Sequence, residues 1–296
     1  MKHIFTIIIS FLLLAACGET GHVQFGKLAK IDSIAEVNAD SAVAMLKTIN
    51  RDSLSGNDNK YYFDLLEIRA NDKAYITHTS DSAILSVIEY FENNDFNNLL
   101  PVAYYDGGRV YSDLGDAPQA LEYFHKALDC ENINTHTEAV AYGQVAGIYN
   151  EQKVFDLAIP AYKRAIELNH YNNNQINVLY NMRNLGRIYS NQGLEDSAMV
   201  LYNYTIKLAE KIKNPTLVLS TKLNIAELYL LKYNFKHASD LLSSIRNGLP
   251  YTDSTKIANT FAHLYYRLNN IDSTIYYCNR LIKSQSLNAQ LNGYNI

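Results

Sequence analysis

Tyr104-Tyr-Asp-Gly-Gly-Arg-Val-Tyr111, then Leu114-Gly115, then Ala120-Leu-Glu-Tyr-Phe124 and Ala127 decide the fold. Small and apolar residues recur there at helical spacing on both sides of a glycine break, so the stretch predicts two amphipathic helices joined by a tight turn. The same pattern returns downstream. Tyr142 to Tyr149 with Ala158, Tyr162 and Ala165 form one copy, and Gly186, Tyr189, Gly193, Ala198 and Tyr202 form the next. Ala226, Tyr229 and Ala238 follow, then a weaker copy at Ala262, Tyr265 and Thr274. The small residue of each second helix falls at Ala42, Ala83, Ala120, Ala158, Ala198, Ala238 and Thr274, with spacings of 41, 37, 38, 40, 40 and 36. Seven helix pairs fit the chain. A self-similar period of this length marks a stack in which no pair can bury its apolar face alone.

Gly108, Ala146, Gly186, Ala226 and Ala262 are the positions expected to let paired helices approach, with Tyr111, Tyr149, Tyr189, Tyr229 and Tyr265 filling the space between pairs. This pattern resembles the tetratricopeptide repeat over about residues 25–284. The resemblance implies an all-α fold, a right-handed α-solenoid of about seven helix pairs. The period exceeds the family's usual one, which predicts longer first helices. Asp40-Ser-Ala42, Asp81-Ser-Ala83, Asp196-Ser-Ala198 and Asp272-Ser-Thr274 stand at the starts of second helices, where an acid or hydroxyl caps free N–H groups and suits the helix dipole. These triplets also resemble O-glycosylation sites of exported Bacteroidetes proteins, which would mark Ser41, Ser82, Ser197, Ser254 and Ser273.

Composition narrows the function. With 296 residues, 48% hydrophobic and 19% charged, the chain is neither disordered nor collagen-like. A net charge of -4 gives no basic field for phosphate backbones. Lys2 followed by the apolar run Ile4 to Ala16 has signal-peptide length and is too short for a permanent span. Leu14-Ala15-Ala16-Cys17 resembles the bacterial lipobox, which implies cleavage before Cys17 and lipidation of its thiol. Domains on this reading are a lipoprotein signal peptide over 1–16, a lipidated tether over 17–24, the solenoid over 25–284 and a polar tail over 285–296. The expected address is the bacterial cell envelope, anchored by lipid at the outer membrane, with the periplasmic or surface face left open.

Sequence motifs offer no chemistry. The eight histidines show no metal-ligand spacing, and Gly107-Gly108 lies inside a helical pattern and is no phosphate loop. No nucleophile elbow is present. Cys130 and Cys278, four repeats apart, read as separate apolar fillers. The expectation is a protein that is no enzyme and needs no cofactor or metal.

What remains is a surface. In the tetratricopeptide-repeat family the first helices line a groove, and carrying this over by repeat position points to Tyr105, Arg109, Asp113, Asn150, Glu151, Arg183, Arg187, Asn191, Glu227, His263 and Arg267. Arg183 and Arg187, four apart on one helical face, form with Arg109 an electropositive spot for the carboxylates of an extended, acidic peptide. Solvated charges locally paired to Asp113 or Glu227 are the alternative. The family's clamp for a terminal carboxylate is not reproduced, since Tyr105, Arg109, Gln144 and Tyr180 stand in its place.

Ile31-Asp-Ser-Ile34, Asp40 to Leu46 and Asp58 to Thr79 also resemble the start of exported Bacteroidetes repeat proteins, many of which continue into a membrane helix and a DNA-binding domain. Two readings therefore stand: an envelope scaffold that binds protein or peptide, or the ligand-sensing half of a signalling protein. A third, glycan binding by outer-membrane lipoproteins, is suggested by 24 tyrosines without a tryptophan. Repeat packing explains most of these, with Tyr162, Tyr202 and Tyr276 recurring in the second helices.

Overall fold

The computed structural model describes residues 26–94, 96–248 and 255–283. The signal peptide, Cys17, the tether, Ser254 and the polar tail lie outside the described residues. Among the described residues there is no strand. Helix α1 is described over residues 26–35. It is followed by α2 (Ala39–Leu46), α3 (Gly56–Lys73), α4 (Ser82–Asn93), α5 (Leu100–Asp113), α6 (Ala117–Leu128) and α7 (Thr135–Glu151). The remaining helices are α8 (Phe155–Tyr171), α9 (Gln175–Asn191), α10 (Glu195–Lys211), α11 (Pro215–Leu231), α12 (Phe235–Gly248), α13 (Thr255–Arg267) and α14 (Ile271–Ile282). These fourteen helices match the seven pairs read from the repeat, and the class is an α-solenoid. Over the described residues the first helices exceed their partners in five pairs, as α3 does with 18 residues against 12 in α4, whereas α7 and α8, and α9 and α10, are equal at 17.

From α5 onward, the turn within each pair is built from the tyrosine column. Tyr111, Tyr149, Tyr189, Tyr229 and Tyr265 each offer a backbone carbonyl to the N–H five residues on, at 2.8–2.9 Å, so that Asp116, Val154, Leu194, Asn234 and Asn270 start the second helix at a constant offset. This is the six-to-one closure of a Schellman turn. It demands a left-handed residue one place earlier, and Gly115, Lys153, Gly193, Tyr233 and Asn269 all have positive φ there. Asn134, Asn174 and Asn214 cap α7, α9 and α11 by accepting from the N–H three residues on.

The capping signature needs correction. Asp40 and Asp272 lie inside the first turn, and the caps are the preceding Asn38 and Asn270. Leu194 precedes Asp196 and gives no side-chain cap at all. Asp40, Asp196 and Asp272 therefore suit the helix dipole from inside the first turn and give no cap. The Asp81 triplet is out of register: Ala83 is exposed and Ile84 fills the buried position, because α4 starts one residue after its acid whereas α2, α10 and α14 start one residue before theirs.

The chain divides between Ile148 and Tyr149 into two compact units. In the first, Leu28, Ile31, Ala42, Leu46, Tyr62 and Phe63 join α1, α2 and α3. A second cluster around Ile84, Val87, Phe91, Val110 and Tyr123 joins α3 to α6. In the second unit, Ala198, Tyr202, Ile225 and Leu228 pack together. Leu223, Ala226, Ala238, Leu242, Phe261, Ala262 and Tyr277 close α11 to α14.

The small positions of the first helices behave as the repeat predicts. A Cβ on Gly108 would lie 2.5 Å from the Phe124 ring, and one on Gly186 would lie 2.8 Å from Tyr202. Glycine thus stands where the facing side chain is a buried aromatic. The second-helix column four places after the small residue reads Leu46, Ile88, Phe124, Tyr162, Tyr202, Leu242 and Cys278. Tyr276 is therefore no core tyrosine; it is exposed, and its neighbour Tyr277 is buried. Cys130 and Cys278 are free and half-buried. No helix among the described residues is long and apolar enough to cross a membrane.

Candidate functional site

Within each unit the first helices lie side by side: α3 against α5, and α9 against α11 against α13. Their polar residues consequently share a face, and the sequence-predicted groove residues are distributed over it.

In the first unit that face is stitched by ion pairs. Arg69 donates to Asp32 at 2.6 Å and to Glu36 at 2.9 Å, and Lys73 reaches the other Glu36 oxygen at 2.8 Å. Arg109 donates through Nε and Nη2 to Asp72 Oδ1 at 3.0 and 2.8 Å, and through Nη1 to Gln144 at 3.2 Å. Burial works against the charged guanidinium, but the bonds to Asp72 outweigh it and the Arg109 pKa rises. Asp113 is the partner of His78, accepting from its backbone N–H at 2.9 Å and facing its Nδ1 at 2.8 Å. Tyr105 packs on the Phe124 ring at 5.7 Å, and burial pushes its phenol pKa up. Arg109 is thus already neutralised by Asp72, a partner the sequence reading had not considered.

Two features here escaped sequence reading. Asp106 is 1% exposed, and neither of its oxygens has a hydrogen-bond partner. Burial, reinforced by Asp72 and opposed by Arg69, pushes its pKa up to about 7. The other is a group able to hold a metal ion: ligand atoms of Asp72, His78 and Asp113 lie within 4.8 Å of one another, all half-buried. A clue to Asp106 was present in the repeat. Asp106, Gln144, Asn184, Asn224 and Thr260 each stand two places before the small residue, a polar column through an otherwise apolar register.

In the second unit the charges are not balanced in this way. Arg183 is half-buried on α9, lies over the Tyr180 ring at 5.1 Å and donates to Asn184 and to Ser220 Oγ, the latter at 2.9 Å. All of these partners are neutral. Burial and the nearby Arg187 charge push its pKa down. Arg187 is half-buried one turn further on and forms no ion pair among the described residues. Glu227 does not neutralise the arginines by direct pairing; its carboxylate accepts from Thr260 at 3.4 Å.

The row continues into a cleft of about 420 Å³ whose lining includes Asn191, Glu227, Asn259, His263 and Arg267. The structure thereby brings together four residues nominated from sequence. Arg267 also lies over the Tyr233 ring at 5.6 Å. Glu151 is exposed at the end of α7. Asn150 departs from the expected open face. It is 7% exposed, because it occupies the buried register shared with Ser190 and Leu230, four places after the small residue.

Comparisons agree with this architecture. A model described as the SusR N-terminal TPR domain matches residues 167–291, and a tetratricopeptide-repeat model matches residues 139–171. The chain is similar to a Rap protein solved in complex with competence and sporulation factor, at 15% identity and a TM-score of 0.70, over 94% of this chain and 79% of that one. It is also similar to the apo form of RapI, at 14% identity and a TM-score of 0.68, over 92% and 80%. The apo quorum sensor NprR from B. thuringiensis aligns at 15% identity and a TM-score of 0.69, over 91% and 79%. No curated protein matches the chain. The repeated helix pairs, their tyrosine-closed turns and the two family models together identify the chain as a tetratricopeptide-repeat protein.

Proposed function

We propose that the protein is a non-catalytic binding scaffold whose first-helix face in the second unit holds an extended, acidic peptide or protein segment. The observation that carries this reading is the Arg183–Arg187 pair, two half-buried guanidiniums one turn apart without an acidic partner among the described residues. Among the described residues Arg187 has all five donors unused and Arg183 keeps two, so carboxylates of a ligand find charge-assisted, bidentate partners at a partly desolvated site. The adjoining cleft with Asn191, His263 and Arg267 extends the polar surface. A Rap protein of similar fold was solved in complex with competence and sporulation factor, which supports the same kind of ligand here.

The site of action in this proposal is the bacterial cell envelope, with lipid on Cys17, on the strength of the lipobox-like Leu14 to Cys17. A second reading, the sensing half of a signalling protein, is favoured by the match to a domain described as N-terminal and by the fold shared with a quorum sensor. Mild crosslinking and pull-down from detergent-solubilised envelopes tests both. The scaffold reading expects an envelope protein captured by the wild type and lost with Arg183→Glu/Arg187→Glu, while helical content is unchanged. Undiminished capture by that variant removes the arginine site. Recovery of a small ligand without protein supports the sensor. A Cys17→Ser control should release the chain from the membrane fraction.

A further inference from the structure

We propose that Asp72, His78 and Asp113 form a binding site for one first-row divalent metal ion. The three residues come from the last turn of α3, the connection to α4 and the last residue of α5, and folding places their ligand atoms within 4.8 Å of one another. One imidazole and two carboxylates form a mixed nitrogen and oxygen donor set suited to Zn²⁺ and similar ions, which take water as a further ligand.

The surroundings are arranged as an outer shell. His78 Nε2 lies 3.2 Å from the Ile68 carbonyl, so a proton on Nε2 is held by the backbone and the Nδ1 lone pair faces the carboxylates. Both Arg109 nitrogens that reach Asp72 address Oδ1, which fixes that carboxylate and leaves Oδ2 for a ligand. The His78 backbone N–H holds Asp113 in the same way through its Oδ2.

Charge supplies an independent argument. Asp32, Glu36, Asp72 and Asp113 face Arg69, Lys73 and Arg109 across the ion-pair network, so these acids outnumber the permanent cations before the buried Asp106 is counted. Arg69 and Lys73 are engaged by Asp32 and Glu36, which leaves Asp106 buried without a hydrogen bond and within electrostatic range of Asp72. A divalent ion supplies positive charge where the acids are in excess. In the alternative arrangement His78 is only the ion-pair partner of Asp113, and no metal binds.

Titration of the full-length, chelator-treated chain with Zn²⁺ alone, read by calorimetry, separates the two. The expected result is one saturable equivalent, with affinity reduced on the order of 100-fold or more in Asp113→Asn and in His78→Gln, and unchanged in His170→Gln. Absence of a saturable equivalent overturns the site, as does wild-type affinity in either ligand variant that keeps its helical circular dichroism. Should both variants lose helicity, Co²⁺ added to the wild type decides: the His78 ring signals must broaden at one equivalent, and sharp signals overturn the proposal.

Discussion

Asp106 shows how much one residue can cost in a stack otherwise built from small and apolar side chains. Its carboxyl is buried, unpaired and shifted up to about 7, whereas the unfolded chain returns it to the ordinary carboxylate range. Between pH 4 and 7 the folded state holds a proton that the unfolded state has released. The contribution of Asp106 to stability therefore falls as pH rises through this window and is flat above it. Asp106→Asn should flatten that slope and gain on the order of 2 kcal/mol at pH 8, as seen in urea unfolding at a series of pH values. An unchanged slope would mean that the charge is solvated or paired. The paired carboxylates of the same face oppose this trend: burial raises Glu36, but Lys73 and Arg69 hold it below its usual range, so its contribution is lost as pH falls.

At the scale of the element, the turn inside each pair is set by backbone geometry and only loosely by residue type. The left-handed position holds glycine at Gly115 and Gly193 but lysine at Lys153 and tyrosine at Tyr233. A side chain in that conformation costs about 1–2 kcal/mol, and glycine gives part of the difference back through its greater freedom when unfolded. Lys153→Gly should stabilise the protein by roughly 0.5–1 kcal/mol, and Gly193→Ala should cost a similar amount. Thermal unfolding midpoints of the two variants should move in opposite directions. The repeat thus keeps its turn at a constant distance from the tyrosine carbonyl even where the sequence lacks the glycine that would announce it.

For the whole molecule, stability is divided locally, since a repeat depends on its own fold and its immediate neighbours. Gly108 lies in the first unit and Gly186 in the second, each facing an aromatic ring without room for a methyl group. Gly108→Ala should cost about 1–3 kcal/mol by forcing Phe124 out of place. Hydrogen exchange should quicken in α5, α6 and the helices packed on them, with α11 to α14 unchanged. Uniform loss of protection along the chain would instead show one cooperative block. The same division bears on charge: Arg69 and Arg109 are paired with acids of their own unit, whereas Arg183 and Arg187 have no acidic partner among the described residues.

The repeat period, the seven pairs and the small residues where paired helices approach were legible in the sequence because they recur at a fixed spacing, and helix packing reads that spacing directly. Register within a copy was less secure: Ala83 and Tyr276 sit one residue from the buried positions held by Ile84 and Tyr277. A helix turns by about 100° per residue, so an offset of one moves a side chain from the core to its edge. Sequence also singled out Arg183, Arg187 and the residues of the cleft by their place in the repeat. Only the tertiary structure decided which charges are paired, because the partners come from neighbouring repeats: Asp72 for Arg109, His78 for Asp113, and neutral Ser220 for Arg183. Spacing along one helix determines which residues share a face, while charge balance between helices depends on which faces the fold brings together.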